Sequence, residues 1–165
     1  MLRLPAVAGR FYPADPRELT HQVQKFTVGS AAEEKIAARG CVVPHAGYMY
    51  SGAVAGEVYG RLRLPRRVIL LGPRHYPQGA SLAILSEGAW QTPLGEAQVD
   101  AALAQEIRER FPALQENAVA HHSEHALEVQ LPFLQLLAGD FRFVPIALGP
   151  VAISMLEDLG RAIAN

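Results

Sequence analysis

Val68-Ile69-Leu70-Leu71-Gly72-Pro73 is the stretch that decides the fold. It is a continuous apolar run, β-branched at its start, preceded by Arg66 and Arg67 and ended by Gly72-Pro73. A run without polar alternation reads as a strand buried on both faces, as in a parallel sheet. Phe141 to Leu148 is a second strong strand and Leu82 to Leu85 a third. Cys41-Val42-Val43, closed by Pro44, reads as a short buried strand. Trp90 to Gly95 reads as an extended stretch and turn.

Helical signals fall between these runs. Asp15 suits an N-cap, Pro16 the first helical position and Glu18 a capping box, with Leu19, Val23 and Phe26 on one face. Ser51 is placed to cap a helix through Leu62, with Val54, Val58 and Leu62 inward. Asp100 caps a helix through Phe111. Ala126 to Leu137 reads as helical, with a kink or break at Pro132. Ile153 to Ile163 closes the chain as an amphipathic helix. Residues 29–35 read as a surface connection. Helices alternating with buried strands imply an α/β fold, a parallel or mixed sheet covered by helices on both faces.

The chain has 165 residues, which fits one domain over 1–165 and suffices for a hydrophobic core without disulfides. It is 50% apolar and 19% charged with a net charge of −1, so no global field favours nucleic acid or an anionic membrane. No stretch approaches the roughly 18 unbroken apolar residues that a membrane span requires. The lone Cys41 excludes an internal disulfide and a multi-cysteine zinc site, and reads as a core residue. Together with the absence of a leader it points to a reducing, cytoplasmic setting, which is the expectation here. No P-loop, Gly-x-Gly-x-x-Gly or Gly-x-Ser-x-Gly motif is present, so no nucleotide cofactor is expected. Arg61, Arg63, Arg66 and Arg67 form a basic cluster without interleaved aromatics, which reads as a solvated loop. Gly52 and Gly56 read as close-packing positions on a helix.

Five of the six histidines fall in three short stretches. His45 follows the Cys41–Val43 run by two residues, and His75 follows Val68–Leu71 by four. In a parallel sheet both leave the carboxyl ends of strands, the edge where open α/β sheets bind ligands. Neutral imidazole is the commonest transition-metal ligand, so a shared metal site is one reading; ordinary loop histidines are the other. The third stretch is His121-His122-Ser123-Glu124-His125-Ala126-Leu127-Glu128. A carboxylate from it could complete a two-histidine, one-carboxylate set. Glu124 and His125 are candidates to line the pocket or support the ligands. Glu128 reads as a structural helix-start acid, and His121 and His122 as exposed loop residues. Arg74 adjoins His75 and could hold an anion bidentately. His21 is given no role.

Five ordered motifs resemble the Memo family, whose prokaryotic members include AmmeMemoRadiSam system protein B. They are Ala8-Gly9-Arg10-Phe11-Tyr12-Pro13, Pro44-His45-Ala46-Gly47-Tyr48-Met49-Tyr50-Ser51-Gly52, Leu71-Gly72-Pro73-Arg74-His75, Thr92-Pro93-Leu94-Gly95, and Glu124-His125-Ala126-Leu127-Glu128-Val129-Gln130-Leu131-Pro132-Phe133. The resemblance implies a three-layer α/β/α sandwich with a mostly parallel central sheet, similar to class III extradiol dioxygenases. It implies metal ligands at His45 and His75, with Fe(II) or copper as the ion and oxygen or redox chemistry on a small or planar substrate. Phe11, Tyr50 and Arg74 would line the entrance, beside Glu124 and His125. It also implies functional association with AMMECR-type and radical SAM proteins. Peptide binding by animal members supports an alternative, a non-catalytic module gripping a peptide or small acid in the same pocket.

The chain departs from the family at its C-terminus. It stops at Asn165, before the family's Ser-Ser-Asp-x-x-His segment and its late cysteine ligand, so it reads as truncated relative to the family. Cys41 is in the wrong place to substitute. Apolar faces left without missing strands are expected to be exposed and to favour association into oligomers.

Overall fold

The central strand is β7 (Arg142–Leu148). Its alternate side chains serve two cores, Phe143 on one face and Val144 and Ile146 on the other. The computed structural model describes residues 1–28 and 34–164; of the connection expected over 29–35, residues 29–33 lie outside that description. Strand β1 (Leu2–Arg3), helix α1 (Pro16–Thr27) and helix α2 (Tyr48–Arg61) open the chain. Strands β2 (Arg67–Pro73), β3 (Leu82–Ile84), β4 (Ala89–Thr92) and β5 (Gly95–Val99) follow. Then come α3 (Ala101–Arg110), β6 (Gln115–Glu116) and α4 (Ala118–His122). A 3-10 turn (Glu128–Gln130) leads into α5 (Leu131–Leu137), and β7 is followed by α6 (Ile153–Ala164).

β2 runs parallel to β7 along its whole length, from Arg67 opposite Arg142 to Pro73 opposite Leu148. The other edge of β7 is shared. β5 pairs in parallel at Gln98 and Val99, and β3 pairs antiparallel from Ile84 to Leu82. β4 forms a hairpin with β5, β1 runs parallel to β4, and β6 runs parallel to β3. The sheet is therefore mixed, with four parallel pairings and two antiparallel ones among the described residues. Helices α1, α2 and α5 cover one face through Leu19, Val23, Tyr48, Tyr59 and Phe133. Helices α3 and α6 cover the other through Ala104, Ile107 and Leu159. This is the expected α/β layering.

The local signals act largely as read. The Asp15 carboxylate accepts from the backbone N–H groups of Arg17 and Glu18, and Asp100 accepts from Leu103. The stretch expected to run as one helix from Ala126 is divided, and Pro132 sits in the first turn of α5, where its missing N–H costs nothing.

Three expectations are corrected. Cys41–Val43 is not a strand: a strand requires a paired neighbour, and the backbone pairing in this part of the chain is an isolated bridge between Ile36 and Leu62. Cys41 is accordingly exposed rather than in the core, and Val42 is 94% exposed. β2, expected to be buried on both faces, pairs with β7 alone among the described residues, and Leu71 is 51% exposed. The run 41–43 and β2 instead border an apolar hollow of about 650 Å3, lined in part by Val43, Leu64, Val68, Leu127 and His45.

The third correction concerns α2. It starts at Tyr48, with Gly47 as N-cap, so Ser51 is not the cap; the Ser51 hydroxyl donates to the Ala46 carbonyl at 3.0 Å. The buried face is Tyr48, Ser51, Gly52, Ala55, Gly56 and Tyr59, whereas Val54 is exposed. Small residues win that face because α1 crosses there. A Cβ at Gly56 would lie 2.5 Å from the Phe26 carbonyl oxygen and from Phe26 Cβ, and one at Gly52 would run into the Phe26 ring. The close-packing reading of both glycines thus holds. Gly56→Val is expected to destabilise the fold by about 1–3 kcal/mol or more, because backbone cannot yield as a side chain can. Val54→Ala on the exposed face should change the denaturation midpoint little, and equal midpoint shifts in the two variants would contradict the packing.

Candidate functional site

Three imidazoles meet above the carboxyl end of β2. The His45 and His75 ring centroids are 5.2 Å apart, those of His75 and His125 are 4.4 Å apart, and those of His45 and His125 are 6.2 Å apart. His75 arrives on the loop after β2, as the sequence suggested. His45 arrives from an irregular segment rather than from a strand. It is held there by two bonds on its neighbours, Gln130 Nε2 donating to the Pro44 carbonyl at 3.0 Å and Ser51 donating to Ala46. The Tyr59 hydroxyl in turn donates to Gln130 Oε1 at 3.0 Å. Gln130 was not singled out in the sequence, although it lies inside the Glu124–Phe133 motif.

Glu124 is the organising carboxylate. It is wholly buried and accepts from the backbone N–H of His75 at 2.5 Å and from those of His125 and Ala126 at 2.8 Å. It also pairs with His75 Nδ1 at 2.9 Å. Burial alone would raise its pKa, but the N–H groups of His75 and Ala126 and the His75 ring outweigh it, so the carboxyl lies below its ordinary value. Glu124 is therefore ionised at neutral pH and is an acceptor for an N–H at His75 Nδ1.

The other two rings are kept neutral. Burial, then the His75 ring, lowers the His45 pKa, with Glu124 opposing. Burial also lowers His125, opposed by Glu124 and assisted by the two neighbouring imidazoles. His125 packs against Phe11 with centroids 4.7 Å apart. Its Nδ1 is buried and has no hydrogen-bond partner. His75, Glu124 and His125 each offer a ligand atom, and these atoms lie within 4.8 Å of one another. Nitrogen donors, a carboxylate and an orphaned ring nitrogen fit a transition-metal ion.

The remaining candidates divide. Phe11 reaches the site through His125. Tyr50, in the first turn of α2, is 82% exposed, and no ring contact among the described residues joins it to the imidazoles. Arg74 spends its Nη1 on the loop that carries His75, donating to the carbonyls of Gln78 and Gly79, and to that of Ala80 at 2.8 Å, while its Nε is buried without a hydrogen-bond partner. Glu128 is structural, as expected, but through burial rather than a helix dipole. It forms a 2.7 Å ion pair with Arg3 and accepts from the Tyr12 hydroxyl at 2.7 Å. Of the basic cluster, Arg61 pairs with Glu57 and Arg67 with Asp100.

The family of Memo-like proteins matches this chain over residues 3–165. The chain belongs to the Memo family. A MEMO1 family protein of Pyrobaculum arsenaticum is 42% identical over 174 residues, covering 99% of this chain and 62% of the relative. One of Aquifex aeolicus is 43% identical, covering 97% and 60%. One of Thermococcus onnurineus is 42% identical, covering 99% and 58%. This Memo chain thus spans about three-fifths of the length of these relatives. No helix among its described residues is long and apolar enough to cross a membrane.

One histidine was misread. His121, expected in an exposed loop, is 1% exposed and packs edge-on to Trp90, whereas His122 is exposed as expected. Neither ring nitrogen of His121 has a partner at hydrogen-bond geometry. Burial, helped by Arg3, lowers its pKa from 6.5 to about 4, and the Ala83 backbone offsets this only in part. The unfolded chain therefore binds a proton that the folded chain refuses between pH 6.5 and about 4. Stability from this group is complete above that window and is lost as pH falls through it, by an amount on the order of 3 kcal/mol. Urea denaturation at pH 7.5 and 4.5 measures the loss. In His121→Leu the drop should be smaller than in the parent, and an unchanged drop would remove His121 as its source.

Proposed function

We propose that this Memo chain forms a transition-metal site, for non-haem Fe(II) or copper, serving oxygen or redox chemistry on a small or planar substrate. The observation that carries the reading is the His75–Glu124 bond. A buried, ionised carboxylate pairs with His75 Nδ1 and holds that ring beside two further imidazoles. A loop histidine without a ligand to hold has no need of such a clamp.

His45 and His75 are the residues that would hold the ion. When bound, it supplies a Lewis-acidic, redox-active centre with positions left for oxygen and substrate. The chain's own groups do the rest. Glu124 pairs with His75 Nδ1 and keeps that ring from turning. Phe11 covers one side of His125 and limits access of water to the imidazoles. Arg74 keeps the 75–80 loop in one conformation by tying up three of its carbonyls. Association with AMMECR-type and radical SAM proteins is proposed for the whole family domain, of which this chain spans part.

Met49 and Tyr50, 84% and 82% exposed within five residues of His45, favour a second reading, a module that binds a peptide or small acid without turnover. Metal content and oxygen consumption separate the two. Protein purified without oxygen should carry close to one iron or copper per chain by elemental mass spectrometry. The His45→Ala/His75→Ala double variant should carry less than about a tenth of that while keeping its circular dichroism, because loop histidines add little to the core. A folded parent that takes up neither metal would leave the binding-module reading in its place.

A further inference from the structure

We infer that the outer edge of β2 is a self-association surface, on which a second copy of this chain docks its own β2 in antiparallel alignment about a two-fold axis at Ile69. The inference is independent of the metal-site reading and rests on the backbone of the strand.

The direction of each backbone group in β2 follows from its pairing with β7. The Arg66 carbonyl accepts from the Arg142 N–H, and the Arg74 N–H donates to the Leu148 carbonyl. In a parallel ladder the N–H and C=O of one residue point the same way, and successive residues alternate. The even-numbered residues from 66 to 74 therefore point at β7, and Arg67, Ile69, Leu71 and Pro73 point away from it. No strand among the described residues takes up this outer edge. Native edges are commonly blunted by a charge, a proline or a bulge in mid-strand. From Val68 to Gly72 this edge carries neither charge nor proline, and its pairing with β7 is unbroken. The apolar hollow opens along it, with Leu103 and Ile163 on one side and Leu127 and Leu134 on the other.

This edge is complementary to itself. With Ile69 opposite the partner's Ile69, Arg67 lies opposite the partner's Leu71, and Leu71 opposite the partner's Arg67. All of these residues point outward, so each facing pair exchanges two hydrogen bonds, about six in all. Pro65 and Pro73, which have no N–H to give, fall opposite each other just beyond the paired residues. A shift of the register by two residues sets one of these prolines against an outward-pointing residue of the strand and leaves a carbonyl there without its donor. Charge selects the direction. Parallel, in-register pairing would set Arg67 against the partner's Arg67, whereas the antiparallel pair holds the two about 14 Å apart. The antiparallel arrangement is also isologous, so it closes at a dimer and leaves neither outer edge open. It brings the partner's Arg67 to the carboxyl half of β2, the end above which the imidazoles meet.

Sedimentation equilibrium of the whole chain from about 1 to 200 μM, with amide hydrogen exchange at both ends of that range, tests the inference. A monomer–dimer equilibrium is expected. In the dilute sample the Ile69 and Leu71 amides should exchange faster than those of Leu70 and Gly72; in the concentrated sample all four should be protected. Leu71→Lys sets like charges opposite each other at two places in the dimer and should weaken association by about 10-fold or more. Leu71→Glu meets the partner's Arg67 instead and should keep association or tighten it. The Leu71 side chain is half exposed, so the single chain accommodates both changes. Ile69→Pro removes the N–H at the axis but no bond to β7, and should give a folded monomer. A parent that stays monomeric throughout the range would overturn the inference. Protected Ile69 and Leu71 amides in that monomer would assign the edge to another segment of the same chain, and unprotected ones would leave it to a strand of a different polypeptide. Equal weakening by Leu71→Lys and Leu71→Glu would overturn it too, because apolar burial without this register would then hold the dimer. So would a dimer that all three variants leave unchanged.

Discussion

The ion pair between Arg3 and Glu128 is the constraint on which the site depends. Both side chains are buried, and buried charges are tolerable only when every remaining valence is filled. Here they are. The Glu128 carboxylate also accepts from the backbone N–H groups of Ala6 and Val7 and from the Tyr12 hydroxyl. Burial and the Glu128 charge push the Tyr12 pKa up, so this phenol stays a donor. Arg3 donates to the carbonyls of His121 and Glu124 at 2.7 Å and lies 4.0 Å over the Trp90 ring. The first dozen residues and the 121–128 stretch are thereby one body. Phe11 and His125, which come from the two halves of that body, meet because of it.

The two carboxylates of Glu124-His125-Ala126-Leu127-Glu128 divide the labour. Glu128 faces the N-terminal segment and fixes where the stretch lies. Glu124 faces the β2 loop and fixes how His75 is turned. Each is wholly buried and each gathers several donors, so neither is free to swing. The short helix α4 and the 3-10 turn on either side leave Glu124 and His125 in irregular backbone, which is what lets Glu124 receive the N–H groups of the two residues that follow it as well as that of His75.

Much of this was legible in the residues, and the failures share a cause. Capping at Asp15 and Asp100, the strands at Val68 and Phe141 and the convergence of His45 with His75 depend on local patterning or on the family motifs. Burial of His121, exposure of Cys41 and the true inner face of α2 depend on partners distant in sequence. His121 is buried because Arg3 and Trp90 arrive over it, more than a hundred and about thirty residues away respectively. Cys41 lies outside because no strand stands where its own would have paired. The inner face of α2 follows from Phe26, since a stripe of glycine and alanine has weak hydrophobic periodicity yet permits the closest approach. Arg3 and Gln130 escaped notice because a polar residue carries no sign in the sequence of which carbonyl it will find.

Among the described residues β2 is anchored on one side only. In a parallel ladder successive backbone groups point alternately to the two neighbours, so every second amide of β2 faces β7 and the others face away from it. Amide protection along this strand should rise and fall with a two-residue rhythm, up to the point where the Arg74 N–H donates to the Leu148 carbonyl. The strand that delivers His75 therefore has half the tethering of an interior strand. His75, two residues beyond its end, is held by Glu124 rather than by a neighbouring strand. The stiffness of the imidazole cluster is a property of that one carboxylate more than of the sheet beneath it.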